Sequence, residues 1–150
     1  MEKDRPKIAV NIFVTRGDQI LLGKRKNTVG DGYWGLPGGH LEKMESLSAG
    51  ARRELEEETG LIADKLSLVH IINDPREEDN SHYMHVNFRA DGVQGEPALR
   101  EPDRCYEWKW FPLQKLPSNI FLGHQKCIAA FPNSSKVIDY AFGSNVPDEY

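Results

Sequence analysis

Four glutamates fall within five consecutive positions near the middle of the chain, which is an unusual density of negative charge. They are Glu54, Glu56, Glu57 and Glu58, in the segment ARRELEEETG. If this segment is helical, like charges three or four residues apart destabilise it by about 0.2–0.5 kcal/mol per pair. Arg52 and Arg53 offset part of that repulsion. The cluster alone leaves two interpretations open, a solvated helix face with salt bridges or a site for a cation.

Helical geometry favours the cation. At about 100° per residue, the apolar side of the helix is marked by three residues, Leu47, Ala51 and Leu55. Glu54 and Glu58 overlap this apolar sector, Glu57 flanks it, and Glu56 points to solvent. Burying unpaired carboxylates is costly, and a hard divalent cation such as Mg²⁺ relieves that cost. The spacing therefore predicts that Glu54, Glu57 and Glu58 face the protein body around a metal.

The tripeptide Pro37-Gly38-Gly39 lies just before the acidic segment. Such a tripeptide is most often only a turn that breaks the chain sharply. Glycine also lets a backbone carbonyl approach a metal or a phosphate closely. Bound Mg²⁺ next to a glycine-lined turn suits phosphate chemistry. The residues alone leave both interpretations of this turn open.

The elements that position these residues follow from periodicity and turn signals. Strands are predicted at 7–15, 19–25, 65–73, 82–90 and 106–111, helices at 47–59 and 119–131, and a short extended stretch at 34–36. Gly60 is placed to end the first helix. Residues 27–33 and 91–104 are predicted loops, and 132–150 is weakly patterned. This order of strands and helices predicts an α/β or α+β fold with a mixed sheet.

Composition excludes several classes of protein. The 150 residues suffice for one domain, predicted to span 1–150, and the profile of 39% hydrophobic and 28% charged residues is globular. The net charge of −4 disfavours a nucleic-acid binder, and no apolar run predicts a membrane span or a secretory signal. Cys105 and Cys127 form no CxxC pair, which disfavours a disulfide scaffold and a structural zinc site. A cytoplasmic protein is the expectation.

The glutamates lie in a longer pattern that resembles the Nudix box. The pattern begins at Gly39, continues after five residues with Glu45, and ends with the segment Arg53-Glu54-Leu55-Glu56-Glu57-Glu58-Thr59-Gly60-Leu61. Residues 39–61 meet every defined position of the box, so the signal is highly specific. The segments LLGKRK, LPGGHLE, SHY and EPDRCYEWKWFPLQKLP also resemble the MutT-like nucleoside triphosphate diphosphatases. The likeness covers roughly residues 7–117.

The resemblance implies a fold and a reaction. The fold is a mixed sheet between helices, with the box as a loop-helix-loop. The reaction cuts a phosphoanhydride bond with Mg²⁺, for which Mn²⁺ can substitute. A MutT-like enzyme converts a nucleoside triphosphate, including oxidised purines in part of the subgroup, to the monophosphate and pyrophosphate. The relatives are often dimeric, so a homodimer is expected, with a small-molecule nucleotide as substrate and neither nucleic acid nor membrane as a stable partner.

The resemblance also implies roles around the metal. The metal ligands are expected to be the carbonyl of Gly38 and the carboxylates of Glu54, Glu57 and Glu58. Arg53 is expected to orient the glutamates by charge-assisted hydrogen bonds. Glu45 is expected to tie the box loop to the helix. For the base that accepts the proton of water, Glu57 or Glu58 is the first choice, and Glu101 or Glu96 in the loop before residue 105 is the second.

Substrate-binding residues are harder to separate from structural ones. Arg25 suits phosphate oxygens, with a surface salt bridge as the alternative, and His40 is a phosphate contact or an ordinary loop histidine. The base pocket implied by the relatives contains four residues, Trp34, Leu36, Tyr83 and His85. Core packing is the alternative for the tryptophan, and Trp108 and Trp110 are interpreted as mainly core.

Position 35 departs from the pattern of the relatives that bind 8-oxoguanine. Those enzymes often carry there an amide side chain that hydrogen-bonds the base, whereas this chain has Gly35. His85 likewise replaces a smaller hydroxyl residue. A broader triphosphatase or a preference for another base therefore stays open.

Two alternatives to the triphosphatase remain. One keeps the chemistry but changes the substrate to a nucleotide sugar, ADP-ribose, a dinucleoside polyphosphate or a prenyl diphosphate. The other is an inactive Nudix domain that senses nucleotides. Such domains usually lose box glutamates, and none is lost here. Metal-dependent turnover separates the two enzymes from the sensor.

Overall fold

The computed structural model describes residues 4–150, which contain nine strands and two helices. In chain order they are β1 (Lys7–Arg16), β2 (Gln19–Arg25), β3 (Trp34–Gly35), β4 (Gly38–His40), α1 (Leu47–Thr59), β5 (Leu66–Arg76), β6 (Ser81–Asp91), β7 (Cys105–Pro112), α2 (Leu122–Ala129), β8 (Val137–Asp139) and β9 (Asp148–Glu149). No helix in this part of the chain is both long and apolar enough to cross a membrane.

The strands form one mixed sheet in the order β3-β2-β1-β6-β5-β8-β9, with β4 added to β1 and β7 added to β2. The pairs β1–β6 and β5–β8 are parallel, and the other pairs are antiparallel. One edge of β1 is shared between two partners. Its end at Thr15 and Arg16 pairs with β2, and Ala9 to Asn11 pair with β4. The two partners therefore pair with different stretches of β1.

Alternation along β1 separates two apolar layers. Val10, Ile12 and Val14 lie in a core cluster that contains Ala51 and Leu55 of α1. Phe13 points to the opposite side of the strand, into a second cluster with two residues of α2, Cys127 and Ile128. The sheet is therefore sandwiched between the two helices, as the family resemblance implies.

A row of buried polar side chains crosses the α2 side of the sheet. Asn11 of β1 donates a hydrogen bond to the side-chain oxygen of Asn87 of β6 (3.0 Å), and the amide of Asn87 lies 3.0 Å from Nδ1 of His70 of β5. The three residues are direct cross-strand neighbours. The amide of Asn11 also lies 3.2 Å from Nδ1 of His85. The amides of Asn11 and Asn87 and Nδ1 of His70 thus find partners within the row, whereas Nε2 of His70 is buried without one in the described part of the chain.

The differences from the sequence predictions are local. The Pro-Gly-Gly segment is not only a break, because Gly38 to His40 pair with β1 as β4. The second helix is shorter than predicted and covers Leu122–Ala129. The weakly patterned tail adds β8 and β9 to the sheet. The ends of β5, β6 and β7 lie within three residues of their predicted positions.

Candidate active site

Helix α1 has clear start and stop signals. The hydroxyl of Ser46 accepts a hydrogen bond from the backbone N–H of Ala49 (3.1 Å), and Gly60 ends the helix in the left-handed conformation at φ 74°. Between these caps, Glu56 is exposed, as the helical geometry predicted. The side chain of Glu54 is only 14% exposed, and that of Glu57 is 52% exposed. Glu57 therefore flanks the buried face of the helix.

Arg53 connects the acidic side chains to one another. Its guanidinium donates to both carboxylate oxygens of Glu45 at 2.7 and 3.0 Å, to Glu54 at 2.8 Å and to Glu57 at 3.3 Å. Glu45 also accepts a hydrogen bond from the backbone of Glu42, so it links the loop to the helix. The hydrogen bonds from Arg53 hold the pKa of Glu45 below its usual value. Arg53 thus fixes the side chains around it.

Two glutamates of the helix lie in an environment that disfavours their charge. Burial raises the pKa of Glu58 well above its usual value, and the nearby carboxylates of Glu54 and Glu101 add to this effect. The backbone N–H of Gly38 opposes it with a hydrogen bond to Glu58 (3.1 Å). Burial also raises the pKa of Glu54, although Arg53 opposes the shift. A cation bound between these carboxylates would offset both penalties.

The glycines of β4 allow this close arrangement. A Cβ at Gly38 would overlap the backbone oxygen of Val10, and a Cβ at Gly39 would lie 2.5 Å from the carboxylate of Glu54. Side chains here would therefore displace β4 from β1 or push Glu54 away. The donor set of acidic oxygens beside a glycine strand fits a hard divalent cation.

Within residues 4–150, however, no three acidic, histidine or cysteine side chains already converge on one point. Glu54 and Glu57 turn toward Arg53, and Glu58 turns toward the backbone of Gly38.

A cavity of about 740 Å³ extends from these carboxylates between β1, β2 and the start of α2. Its volume falls in the usual range for small-molecule sites. Seven of the residues predicted from the sequence line it together with Glu54, Glu57 and Glu58: Arg25, Leu36, Gly38, His40, Tyr83, His85 and Glu101. The structure therefore brings most of the predicted site residues to one place.

Arg25 is held in place on one wall of the cavity. Its Nε donates to the backbone oxygen of Val29 (2.8 Å), and its guanidinium stacks over the ring of Phe121 at 3.8 Å from the ring centroid. Arg25 is close enough to Glu58 for their charges to interact. Among residues 4–150, Arg25 makes no salt bridge of the kind considered as the alternative. The remaining N–H groups of Arg25 lie at the cavity wall, where they can reach an anionic ligand.

Three rings form a row on another wall. Tyr83 lies between His40 and His85, with ring centroids 5.7 and 5.9 Å away, and the hydroxyl of Tyr83 is 3.3 Å from Nε2 of His40. Both ring nitrogens of His85 are engaged inside the protein, Nε2 with Asp74 (3.2 Å) and Nδ1 with Asn11 (3.2 Å). His85 therefore offers a ring surface rather than a free polar atom to the cavity.

Two sequence predictions are wrong. Trp34 does not line the cavity, because it packs in the second apolar cluster with its ring edge against Phe111. Glu96 also lies elsewhere, paired with Arg16 (2.6 Å) and with the indole N–H of Trp110 (3.0 Å). Of the two glutamates considered in the loop before residue 105, only Glu101 reaches the site.

Trp108 and Trp110 are partly buried, which agrees with their interpretation as mainly core residues. Both pack against the first apolar cluster. Trp108 also lines the cavity, and its indole N–H is buried with no hydrogen-bond partner in the described part of the chain.

Sequence reasoning missed Phe121 and His124, which line the cavity from the start of α2. Nδ1 of His124 accepts a hydrogen bond from the backbone N–H of Leu36 (3.0 Å). Residues 36 and 124 are far apart in the chain, and no local pattern marks Phe121 or His124 as functional. Only the tertiary contact identifies them.

The chain is similar in sequence and in fold to several known proteins. An ADP-ribose pyrophosphatase of Methanocaldococcus jannaschii is 36% identical over 82% of this chain and 71% of the relative. An oxidized purine nucleoside triphosphate hydrolase of Danio rerio is 36% identical over 74% of this chain and 69% of the relative. The crystal structure of a MutT NUDIX hydrolase from Burkholderia pseudomallei superimposes with a TM-score of 0.78 at 29% identity, covering 84% of this chain and 98% of that one.

The sequence model of the NUDIX domain matches residues 5–131, which is most of the chain. The match contains α1, both glycines of β4 and every residue placed around the cavity above. The chain therefore belongs to the Nudix family of hydrolases.

Proposed function

We propose that the protein hydrolyses a nucleoside triphosphate to the nucleoside monophosphate and pyrophosphate with Mg²⁺. The observation that carries the proposal is the continuous cavity that joins the carboxylates of α1 to a pocket lined by rings. A cation bound by the carboxylates would attract the phosphates to that end of the cavity. The rings at the other end suit a planar base. Hydrolysis adds one water across the bond between the α and β phosphoryl groups, so the two products account for all atoms. The oxidized purine nucleoside triphosphate hydrolase of Danio rerio supports this substrate class.

Glu54, Glu57 and Glu58 would hold the divalent cation, with the carbonyl of Gly38 as a further ligand. Oxygen ligands favour Mg²⁺, and Mn²⁺ is the expected substitute. When bound, the ion supplies positive charge that polarises the phosphoanhydride and favours deprotonation of the attacking water. Arg53 already touches two of these glutamates and would keep them oriented.

Other residues of the chain would act on substrate and water. Arg25, fixed by Val29 and Phe121, would donate to phosphate oxygens. Glu57 or Glu58 would accept the proton of water, and Glu101 is the alternative base because it lines the same cavity. Tyr83 and Leu36 would contact the base, and His40 would lie near the phosphates.

ADP-ribose is a second candidate substrate, because the Methanocaldococcus jannaschii relative is an ADP-ribose pyrophosphatase. The two substrates share the chemistry at the carboxylates and differ in the group attached to the β phosphate. A panel of canonical and oxidised nucleoside triphosphates, ADP-ribose, nucleotide sugars and prenyl diphosphates, with products separated by chromatography, distinguishes them. Pyrophosphate and a monophosphate support the triphosphatase. AMP and ribose 5-phosphate from ADP-ribose, without triphosphate cleavage, would overturn it.

A matched pair of variants on one helix tests the metal assignment. Glu58→Gln removes the charge of a largely buried carboxylate in the cavity and is expected to reduce kcat at least about 100-fold. Glu56→Gln makes the same change on the exposed side of α1 and is expected to leave turnover unchanged. The kcat of both variants is measured at saturating Mg²⁺. Equal activity of the two variants would refute the assignment of Glu58.

We also propose that residues 1–150 form one domain, that the protein is a homodimer and that it works in the cytoplasm. The segment after residue 131 supports the single domain, because β8 pairs with β5 of the common sheet. Both cysteines are free and buried, as expected in a reducing compartment. The dimer rests on family resemblance, and sedimentation velocity tests it.

A further inference from the structure

The ring of His124 occupies the space that a side chain at position 35 would fill. A Cβ built on Gly35 would lie 2.8 Å from Nδ1 and 3.2 Å from Cε1 of His124. The ring is fixed by the hydrogen bond from the backbone N–H of Leu36 and by an edge-to-face contact with Phe121, whose centroid is 5.0 Å away. The absence of a side chain at position 35 therefore makes room for an imidazole from another element.

The hydrogen bond from Leu36 determines which nitrogen of the ring carries a proton. Because Nδ1 accepts from a backbone N–H, Nδ1 has no hydrogen of its own, and Nε2 carries the proton. Burial lowers the pKa of His124 well below its usual value, and the charges of His85, Arg25 and Arg76 reinforce this effect. The ring is therefore neutral near pH 7, with Nε2 as a hydrogen-bond donor.

The donor at Nε2 is unpaired in the part of the chain that the structure describes. Nε2 of His124 has no hydrogen-bond partner within residues 4–150, where Nδ1 makes the one side-chain bond of this ring. Nε2 is also not fully enclosed. Within that range, the fully enclosed side-chain atoms that lack a partner belong to His70 and Trp108. His124 lines the cavity and is 8% exposed, so the cavity is the open space that Nε2–H can reach. His85 differs, since both of its nitrogens are engaged by protein groups.

Building on the proposed triphosphatase function, we propose that His124 determines base specificity by donating a hydrogen bond from Nε2 to a carbonyl oxygen of the base. A neutral imidazole fixed as a donor accepts no hydrogen bond at Nε2, so an exocyclic amine opposite it leaves two donors facing each other. A buried donor without a partner is costly, which disfavours the amino base. The site therefore favours keto bases over the amino bases of the same shape.

The position of His124 depends on the absence of a side chain at Gly35. An amide side chain at position 35 and the imidazole of His124 exclude each other, because they occupy the same space. Base recognition in this chain is thus assigned to α2, and β3 only has to leave room for the ring.

The first test observes His124 directly and needs no turnover. Long-range ¹H–¹⁵N correlation on the wild-type protein assigns the tautomer, after which dIMP or dAMP is added without metal. These ligands differ in the carbonyl or amine at position 6 of the purine. The Nε2–H resonance of His124 is expected to shift with dIMP only. We expect dIMP to bind at least about 10-fold more tightly than dAMP. A proton on Nδ1 instead, or equal binding and shifts with both ligands, would overturn the proposal.

The second test uses variants and two matched substrate pairs, dITP with dATP and dUTP with dCTP. The wild-type ratio of kcat/KM, keto over amino, is expected to exceed about 10, mainly through KM. His124→Leu removes the donor and should bring the ratio close to one, whereas His124→Gln keeps a donor and should retain part of it. Gly35→Ala is expected to act like His124→Leu, because the added methyl displaces the ring.

A control and a folding check complete this test. His82→Leu changes an exposed histidine bonded to Asn73 and is expected to leave the ratio unchanged. Thermal unfolding of every variant identifies loss of fold, since His124→Leu leaves the N–H of Leu36 unpaired. A ratio unaffected in both folded variants, Gln and Leu, would refute the role of His124. A chain that cleaves no triphosphate yet distinguishes dIMP from dAMP would refute the proposed reaction alone.

Discussion

At the scale of single residues, Arg53 organises the candidate active site. It contacts Glu45, Glu54 and Glu57 through hydrogen bonds of 2.7 to 3.3 Å, so one guanidinium sets the positions of two proposed metal ligands. A planar fork makes these contacts together, and an ammonium group does not. The site therefore depends on the shape of this side chain as much as on its charge.

Arg53→Lys is expected to reduce kcat about 10–100-fold and to raise the Mg²⁺ concentration needed for half-maximal rate, since partners that orient metal ligands have effects of this size. The matched control is Arg52→Lys. Arg52 is exposed and donates to backbone oxygens of Ala63 and Asp64, which a lysine can also reach. Initial rates across a Mg²⁺ titration measure both variants. Unchanged Mg²⁺ dependence in Arg53→Lys would contradict this role.

The sequence was most informative for residues whose spacing carries the chemistry. Glu54, Glu56 and Glu58 follow from helical geometry, because a helix fixes which side each residue faces. Trp34 was misassigned because a tryptophan on a short strand packs into the core as readily as into a pocket. His124 could not be found, because its role depends on a contact with residues 35 and 36 across the fold.

At the scale of elements, the two glycines of β4 differ in what an added Cβ would contact. A Cβ at Gly38 meets backbone of β1, which cannot move without breaking strand pairing. A Cβ at Gly39 meets only the carboxylate end of Glu54. The first contact is therefore a constraint on the fold, and the second is a constraint on the site.

Gly38→Ala is expected to destabilise the protein by about 1–3 kcal/mol or more, the usual cost of overpacking. Gly39→Ala is expected to fold with nearly wild-type stability but to lose activity, because Glu54 must turn away. Urea unfolding and kcat, measured on both, separate the two effects. Equal stability of the two variants would show that β1 and β4 adapt.

Asp74 joins β5, β6 and α2 by ionic contacts. It accepts hydrogen bonds from Arg76 and Lys126, both at 2.6 Å, and lies 3.2 Å from Nε2 of His85. Burial raises the pKa of Asp74, but the hydrogen bonds from His85 and Lys126 and the charge of Arg76 outweigh it and hold the pKa well below the usual value. The carboxylate therefore stabilises the fold at every pH at which it is ionised in the folded state.

Asp74→Asn is expected to cost about 1.5–3 kcal/mol of unfolding free energy at pH 7, because the buried Arg76 loses its 2.6 Å carboxylate partner but keeps Asp79 at 3.0 Å. The folded pKa is depressed, so the contribution is complete above the unfolded pKa of about 4 and is lost as the pH falls below it. The difference between wild type and variant should therefore narrow from pH 4 downward. Urea unfolding from pH 7 to pH 2, with the exposed Asp148→Asn as control, measures it.

The elements that the sequence predicted well have strong local signals. β1, β2 and α1 combine clear periodicity with turn or cap residues, and their bounds agree closely with prediction. β4 was missed because Pro-Gly-Gly signals a turn, and its pairing with β1 depends on a close backbone approach. β8 and β9 were missed because they are two or three residues long and acquire order only from the sheet.

At the scale of the whole molecule, the segment beyond residue 131 completes the second apolar layer. Ile138 of β8 is 2% exposed in the same cluster as Phe13 and Ile128. This segment therefore contributes to the core, although it lies outside the NUDIX match.

Ile138→Ala is expected to lower the unfolding free energy by about 2–5 kcal/mol, as for other large apolar side chains removed from a core. KM should stay unchanged, because Ile138 does not line the cavity. Val146→Ala, at a position 80% exposed, is the control and should change neither quantity. An unfolding free energy of Ile138→Ala equal to that of Val146→Ala would contradict this account of the segment.

The polar row of Asn11, Asn87 and His70 has a consequence for which folds compete with the native one. If β6 slipped by one residue against β1, its side chains would exchange faces, and Asn87 would enter the apolar layer beside Leu55. An unpaired buried amide costs about 1–3 kcal/mol, so each misaligned sheet is penalised at several positions together. An all-apolar strand would tolerate such slippage more easily. The row therefore widens the energy gap between the native alignment and its nearest rivals.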